Sequence, residues 1–244
     1  MSNYKITIEY DGTNFVGWQQ QSNGISIQSS LQEAILKLSG QKVLINGAGR
    51  TDAGVHAYGQ VASFSMDKKI SIDIIRDGLN QHLRPLPISI LKAEVVEDNF
   101  HARFSAKKRF YEYKIINRRS PLTVDINRAW CVHKILDIKK MKTESASFLG
   151  RYDFNAFRSA HCQSKSSIKT IDDVIVDSKN HKITVKVIAK SFLHSQVRIM
   201  VGTLVDIGKG NISRTVKEII ENKLREGAGQ TAPSSGLYLT KIEY

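Results

Sequence analysis

Residues 4–10 read Tyr-Lys-Ile-Thr-Ile-Glu-Tyr and alternate strictly, so that Tyr4, Ile6, Ile8 and Tyr10 fall on one side of an extended chain and Lys5, Thr7 and Glu9 on the other. A strand with one apolar face must have that face covered, and the chain supplies a cover directly after the Asp11-Gly12 stop. In SIQSSLQEAILKLSG the residues Ile27, Leu31, Ala34, Ile35 and Leu38 recur at helical spacing, with Ser26 placed to cap the start and Gly40 where a helix C-terminus favours glycine. A short strand, the glycine-rich stretch GAGRTDAGVHAYG (47–59), a strand at QVASFSM, a helix over 71–83 and a strand at ISILKAEVVE complete a first block.

A second block begins near FSAKKRFYEYKIIN, where Tyr111, Tyr113 and Ile115 share one face and Phe110, Glu112 and Lys114 the other. A strand near 127–134, a helix near 138–149 and a loop, GRYDFNAFRSAHCQSKSS, follow. Strands at 171–178 and 182–192, helices at 195–208 and 213–226, and the closing strand GLYLTKIEY end the chain. The similar order of elements predicts an α+β protein of two similar halves, residues 1–104 and 105–244, although no sequence self-similarity is visible. With only four prolines and no low-complexity linker, the halves are expected to pack as one unit.

Charge divides the chain unevenly. Residues 1–100 carry 9 Lys+Arg against 10 Asp+Glu, whereas residues 101–244 carry 27 against 13. The basic half suits a polyanion such as nucleic acid, which gains from counterion release; charge alone names no reaction. No apolar run is long enough to span a bilayer, and the N-terminus lacks the layout of a secretory signal. Cys131 and Cys162 form no CxxC pair and argue against a disulfide framework or a cysteine-rich zinc site. The expectation is a cytoplasmic, reduced protein.

The loop 47–59 fails as a phosphate cradle. Asp52 stands where a dinucleotide fingerprint needs its third glycine, and Val55-His56 replace the Lys-Ser/Thr of a P-loop. Asp52 and His56 are four apart, but without a third ligand nearby a structural use of His56 is the better reading. Further on, SQVRIMVGTLVDIG is apolar on most faces, so its helix is expected to be buried with Arg198 one turn from its start. A buried guanidinium needs a carboxylate, and Asp52, on what reads as a mobile loop, is one candidate. The alternative is that Arg198 reaches solvent or a carbonyl oxygen. In KKRFYEYK, Lys107, Lys108, Arg109 and Lys114 beside aromatics suit base stacking, but equally describe a strand with tyrosines in the core and solvated lysines.

Taken together and in order, GAGRTDAGVHAYGQVASF, KKRFYEYKI, FLHSQVRIMVGTL and TAPSSGLYLTKIEY resemble the family of tRNA pseudouridine synthase A, as do YDGTNFVGWQQQ and DFNAFR. The resemblance runs from about Tyr4 to Tyr244. It implies an enzyme that isomerises uridine to pseudouridine at positions 38, 39 and 40 of the tRNA anticodon stem and loop. Asp52 falls on the family's catalytic aspartate, Tyr111 on the active-site tyrosine that stacks on the target base, Arg198 on the arginine that pairs with the carboxylate, and Arg50 on an arginine of the RTD motif that contacts the RNA. The resemblance further implies a homodimer that needs no cofactor or metal, and two α+β halves with mainly antiparallel sheets joined around a central basic cleft. The glycines of 47–59 then read as room for a flipped nucleotide. Two departures stand out: NQHLRPLPISI is one residue longer than the family's pattern and lacks its aspartate, and Gln196 replaces a usual methionine before Val197-Arg198. A tRNA-binding protein without chemistry also explains the basic half and the aromatics, but gives Asp52 no purpose.

Overall fold

The structure is a computed structural model that describes residues 1–160 and 162–244. Among the described residues it is a mixed α+β protein with five α-helices and mostly antiparallel strand pairing. The chain divides into two compact units, Met1–Lys107 with Tyr238–Tyr244, and Lys108–Leu237.

In the first unit, β1 (Ser2–Tyr10) pairs antiparallel with β3 (His56–Met66) on one side and β4 (Ile88–Val96) on the other. The two-residue β2 (Asn46–Gly47) pairs with β3. The alternation of β1 does what its sequence requires: Tyr4, Ile6 and Ile8 are fully buried, together with Ile27, Leu31 and Ile35 of α1 (Ile27–Ser39) and Ile75 and Leu79 of α2 (Ile72–Leu83). Each such side chain contributes about 1.5–3 kcal/mol of burial. Ser26 caps α1 in a reciprocal box with Ser29, and Gly40 closes it with φ 76°. The chain leaves α2 through a cis Arg84–Pro85 bond, and the Pro87 carbonyl accepts the Asp11 N–H at 3.1 Å. The unusual stretch 82–88 is thereby tied to the segment that follows β1.

Two expectations shift here. The strand after the glycine-rich loop begins at His56, inside the motif, because His56 and Ala57 find parallel partners in Tyr238 and Leu239 of β10 (Leu237–Glu243). That same pairing places the closing strand with the first unit, whereas the sequence division at 104 assigned it to the second half.

In the second unit, β5 (Lys108–Asn117) pairs antiparallel with β9 (Lys182–Ala189), β9 with β8 (Ile168–Lys179), and β8 with β7 (Gly150–Asp153). The three-residue β6 (Trp130–Val132) lies parallel to β5. Strand β7 arises within the stretch read as a loop, where Gly150–Asp153 find antiparallel partners in Ile168–Ile171. His161 of that stretch lies outside the described residues. Helix α3 (Ile138–Ser145) is shorter than expected and ends in a 3-10 turn over Ala146–Phe148. Helix α5 (Val216–Asn222) is also short, stopping where Lys223 takes a left-handed φ of 59°. Helix α4 (Gln196–Gly208) is the buried helix that its apolar faces predict: Arg198 is its one residue not buried.

Candidate active site

Asp52 sits between β2 and β3 on a chain segment held at closely spaced points. The Ala48 N–H donates to the Val61 carbonyl at 2.8 Å, and the Gln60 side-chain amide donates to the Gly49 carbonyl at 2.8 Å. The Thr51 hydroxyl lies 2.8 Å from the Tyr10 phenol, and the Thr51 carbonyl accepts the Trp18 N–H at 3.0 Å. A turn follows, closed by Val55 N–H to the Asp52 carbonyl at 3.1 Å and by Gly54 with φ 77°. Glycine content suggested a mobile loop; the bonds describe a braced one.

The glycines serve that bracing. A Cβ on Gly47 would stand 2.4 Å from the Trp18 ring, and one on Gly59 would stand 2.4 Å from the Thr240 carbonyl. Gly12 and Gly17, in the YDGTNFVGW segment, let backbone meet backbone: their Cβ atoms would fall 1.9 Å from the Val55 carbonyl and 2.6 Å from the Thr51 carbonyl. The expectation that the glycines of 47–59 make room for a nucleotide is therefore corrected at Gly47 and Gly59, whose space is filled by protein.

His56 has the structural use expected of it. Its Nδ1 accepts the Gly12 N–H at 3.1 Å, and its ring stacks on Tyr238 with centroids 4.7 Å apart. Asp11 Oδ1 lies 3.1 Å from the same nitrogen. Asp11 Oδ1 also accepts the Thr13 N–H at 3.0 Å and the Thr13 hydroxyl at 2.5 Å. Asp52 is half-buried and Arg50 exposed on the same segment.

In the second unit, Tyr111 and Tyr113 lie on the buried face of β5. Tyr111 is 8% exposed and meets Phe192 edge-on, with centroids 5.3 Å apart at 88°. Tyr113 donates to the Pro233 carbonyl at 2.7 Å. Burial pushes its phenol well above the usual tyrosine range, and the charge of Arg198 opposes that shift. Of the basic residues in KKRFYEYK, Arg109 is buried on the tyrosine face and donates to the Lys190 carbonyl, while Lys108 reaches to 4.0 Å from Asp172. Arg109 is thus a structural cation rather than part of an open basic surface.

Arg198 takes the carbonyl contact that the sequence left open as one alternative: its Nε donates to the Ala232 carbonyl at 2.8 Å, while its own carbonyl accepts the Ala232 N–H at 3.1 Å. The segment 228–233 runs against α4 in this way along its length. Gly229 N–H donates to the Thr203 hydroxyl at 2.9 Å, and Gln230 donates to both Asp206 oxygens at 3.1 and 3.2 Å. Asp206 is therefore engaged by Gln230, with Lys209 at 3.6 Å, and serves as the strap's anchor. Gln196, where methionine is usual, accepts the Leu193 N–H at 2.8 Å through Oε1, and its buried Nε2 has no hydrogen-bond partner among the described residues.

Sequence reasoning did not single out Tyr10, Thr51 and Gln60 around Asp52, nor Phe192 and the 228–233 segment beside Tyr111 and Arg198. Thr51 was visible as the middle residue of RTD and Phe192 as the start of FLHSQVR. Tyr10 fits the apolar alternation of β1 and carries no separate signal. Among the described residues no group of three His, Cys, Asp or Glu side chains is placed to hold a metal ion, and no helix is long and apolar enough to cross a membrane.

A two-unit α+β chain with a braced, carboxylate-bearing turn belongs to the tRNA pseudouridine synthase family, whose profile matches residues 6–105 and 145–244. Arg50, Asp52 and Arg198 lie within the matched segments, and Tyr111 between them. Among curated proteins the chain is 53% identical to tRNA pseudouridine synthase A of Ehrlichia chaffeensis over 243 residues, covering 99% of each. It is 49% identical to the protein of that name from Parvibaculum lavamentivorans, covering all of both chains. It is also 49% identical to that of Wolbachia pipientis wMel, covering 99% of each.

Proposed function

We propose that this chain isomerises uridine to pseudouridine at positions 38, 39 and 40 of the tRNA anticodon stem and loop, in the cytoplasm and as a homodimer, with Asp52 as the catalytic carboxylate. The observation that carries the reading is the position of Asp52 within a braced RTD turn of a chain that belongs to the tRNA pseudouridine synthase family. The reaction breaks the bond between ribose C1′ and base N1, rotates the base, and forms a bond from C1′ to C5. The C5 proton leaves and N1 gains one, so atoms and electrons balance within the substrate and solvent.

An ionised carboxylate serves such a reaction by adding to the base, by adding to the sugar, or by taking a proton from the sugar. Each route needs a charged group aimed at a fixed point, and the bonds around Thr51 supply a fixed origin for Asp52. Arg198 is proposed as the cation that keeps Asp52 ionised, since a nearby guanidinium lowers a carboxylate's pKa where desolvation raises it. Tyr111 is proposed to stack on the target base and Arg50 to contact the RNA. Extruding the base costs a few kcal/mol, and stacking returns about 1–3 kcal/mol.

Tritium release from tRNA labelled at uracil C5 tests the assignment. Asp52→Asn is expected to abolish release while tRNA binding persists; substantial turnover by that variant would sink it. Mapping pseudouridine in tRNA treated with the wild-type protein tests the positions.

A further inference from the structure

Thr51 stands between Arg50 and Asp52, yet its side chain belongs to the interior. The residue is buried, and its hydroxyl lies 2.8 Å from the phenol of Tyr10, itself 3% exposed. The packing of a β1 core position would be satisfied by phenylalanine. A hydroxyl at such depth is tolerated only with partners. The phenol's partner is Thr51, the residue immediately before Asp52, and from β3 the fully buried Gln60 sends its amide to the Gly49 carbonyl at 2.8 Å.

From this geometry we infer that Tyr10, Thr51 and Gln60 form a positioning unit that fixes the direction of the Asp52 carboxylate. The inference rests on the proposed role of Asp52. Three contacts, at the Gly49 carbonyl, the Thr51 hydroxyl and the Thr51 carbonyl, fall within the three residues preceding the aspartate. They set where the Asp52 backbone begins, and the Val55–Asp52 turn sets where it goes next. Burial pushes the Tyr10 phenol up to about 12, so the hydroxyl keeps its proton at neutral pH and the contact does not switch. A carboxylate displaced by about 1 Å from its reacting atom can lose two orders of magnitude in rate, because the orientation is then no longer supplied in advance.

The test is steady-state kinetics on full-length Tyr10→Phe, Thr51→Val and their double variant, with Thr51→Ser as the conservative control. All are assayed at a temperature where the thermal midpoint of each shows it folded. Thr51→Val keeps the shape of the side chain, so it reports on the hydroxyl pair even if Tyr10→Phe unfolds. The expected result is a fall in kcat of about tenfold or more for each single variant, with KM for tRNA within twofold of wild type. The double variant should be no slower than the worse single, since both remove the same hydrogen bond, and Thr51→Ser should recover most of the rate. The inference is overturned if kcat is unchanged, if the loss lies in KM, if the single losses multiply, or if Thr51→Ser is as slow as Thr51→Val. Asp52→Asn in the same assay separates the two readings. If it turns over, the role of Asp52 fails; if it is inert while Thr51→Val runs at full rate, only the positioning unit fails.

Discussion

At the scale of single residues, two phenols are held away from water for opposite reasons of place: Tyr10 behind the Asp52 turn and Tyr113 under the Pro233 carbonyl. Their protonation reports on folding. Tyr10 has its folded pKa raised from 10.0 to about 12 by burial. Between those values an unfolded chain has released the proton that the folded chain still holds, so rising pH pulls the equilibrium toward unfolding. The stabilisation is whole below pH 10 and is lost through pH 12, amounting to about 3 kcal/mol for two pK units. Urea unfolding at pH 9 and at pH 11.5 should show a steeper loss in wild type than in Tyr10→Phe; equal losses would contradict the assignment. Gly202 carries a different constraint, since a Cβ there would stand 1.8 Å from the Gln230 carbonyl. Gly202→Ala must displace the segment that holds Arg198, at a cost of about 2–3 kcal/mol. The thermal midpoint is then expected to fall by roughly 5–10 °C for a chain of this length.

At the scale of elements, α1 shows how local chemistry becomes a boundary. Ser26 is fully buried, its hydroxyl accepts the Ser29 N–H at 3.1 Å, and Ser29 returns a bond to the Ser26 N–H at 3.2 Å. Ser26→Ala leaves the Ser29 N–H orphaned at the helix start and is expected to cost about 1–2 kcal/mol, read from the denaturation midpoint. That helix was legible in the sequence because spacing, cap and terminal glycine all agree, and the residues of the RTD motif were legible because they lie together along the chain. Strand β7 was not, because four residues bounded by glycine carry too little alternation to announce a strand; pairing with β8 makes them one. The place of β10 was hidden for a further reason: Tyr238 pairs with His56, and no local pattern reports a partner so distant in sequence. The same limit concealed the support of Asp52. Tyr10 satisfies the apolar pattern of β1, and the hydroxyl that distinguishes it acts 41 positions away.

At the scale of the whole molecule, the charge asymmetry sharpens when the chain is divided as it folds. The first unit carries 12 Lys+Arg against 11 Asp+Glu, and the second 24 against 12. Nearly all of the net charge of +13 therefore belongs to the second unit, while the carboxylate turn belongs to a unit close to neutral. A basic unit supplies sequence-independent attraction for a polyanion. For tRNA binding, the logarithm of the affinity should fall linearly with the logarithm of salt concentration, by more than tenfold between about 50 and 200 mM. The slope should depend on which unit is altered. Lys182→Glu with Lys186→Glu, on exposed positions of β9, is expected to flatten it by about one for each phosphate that these lysines no longer neutralise. Lys68→Glu with Lys69→Glu, equally exposed in the first unit, should leave it unchanged. Binding isotherms at four salt concentrations decide the matter: equal flattening by both pairs would mean that charge acts through the molecule's total, and that its division between the units carries no functional weight.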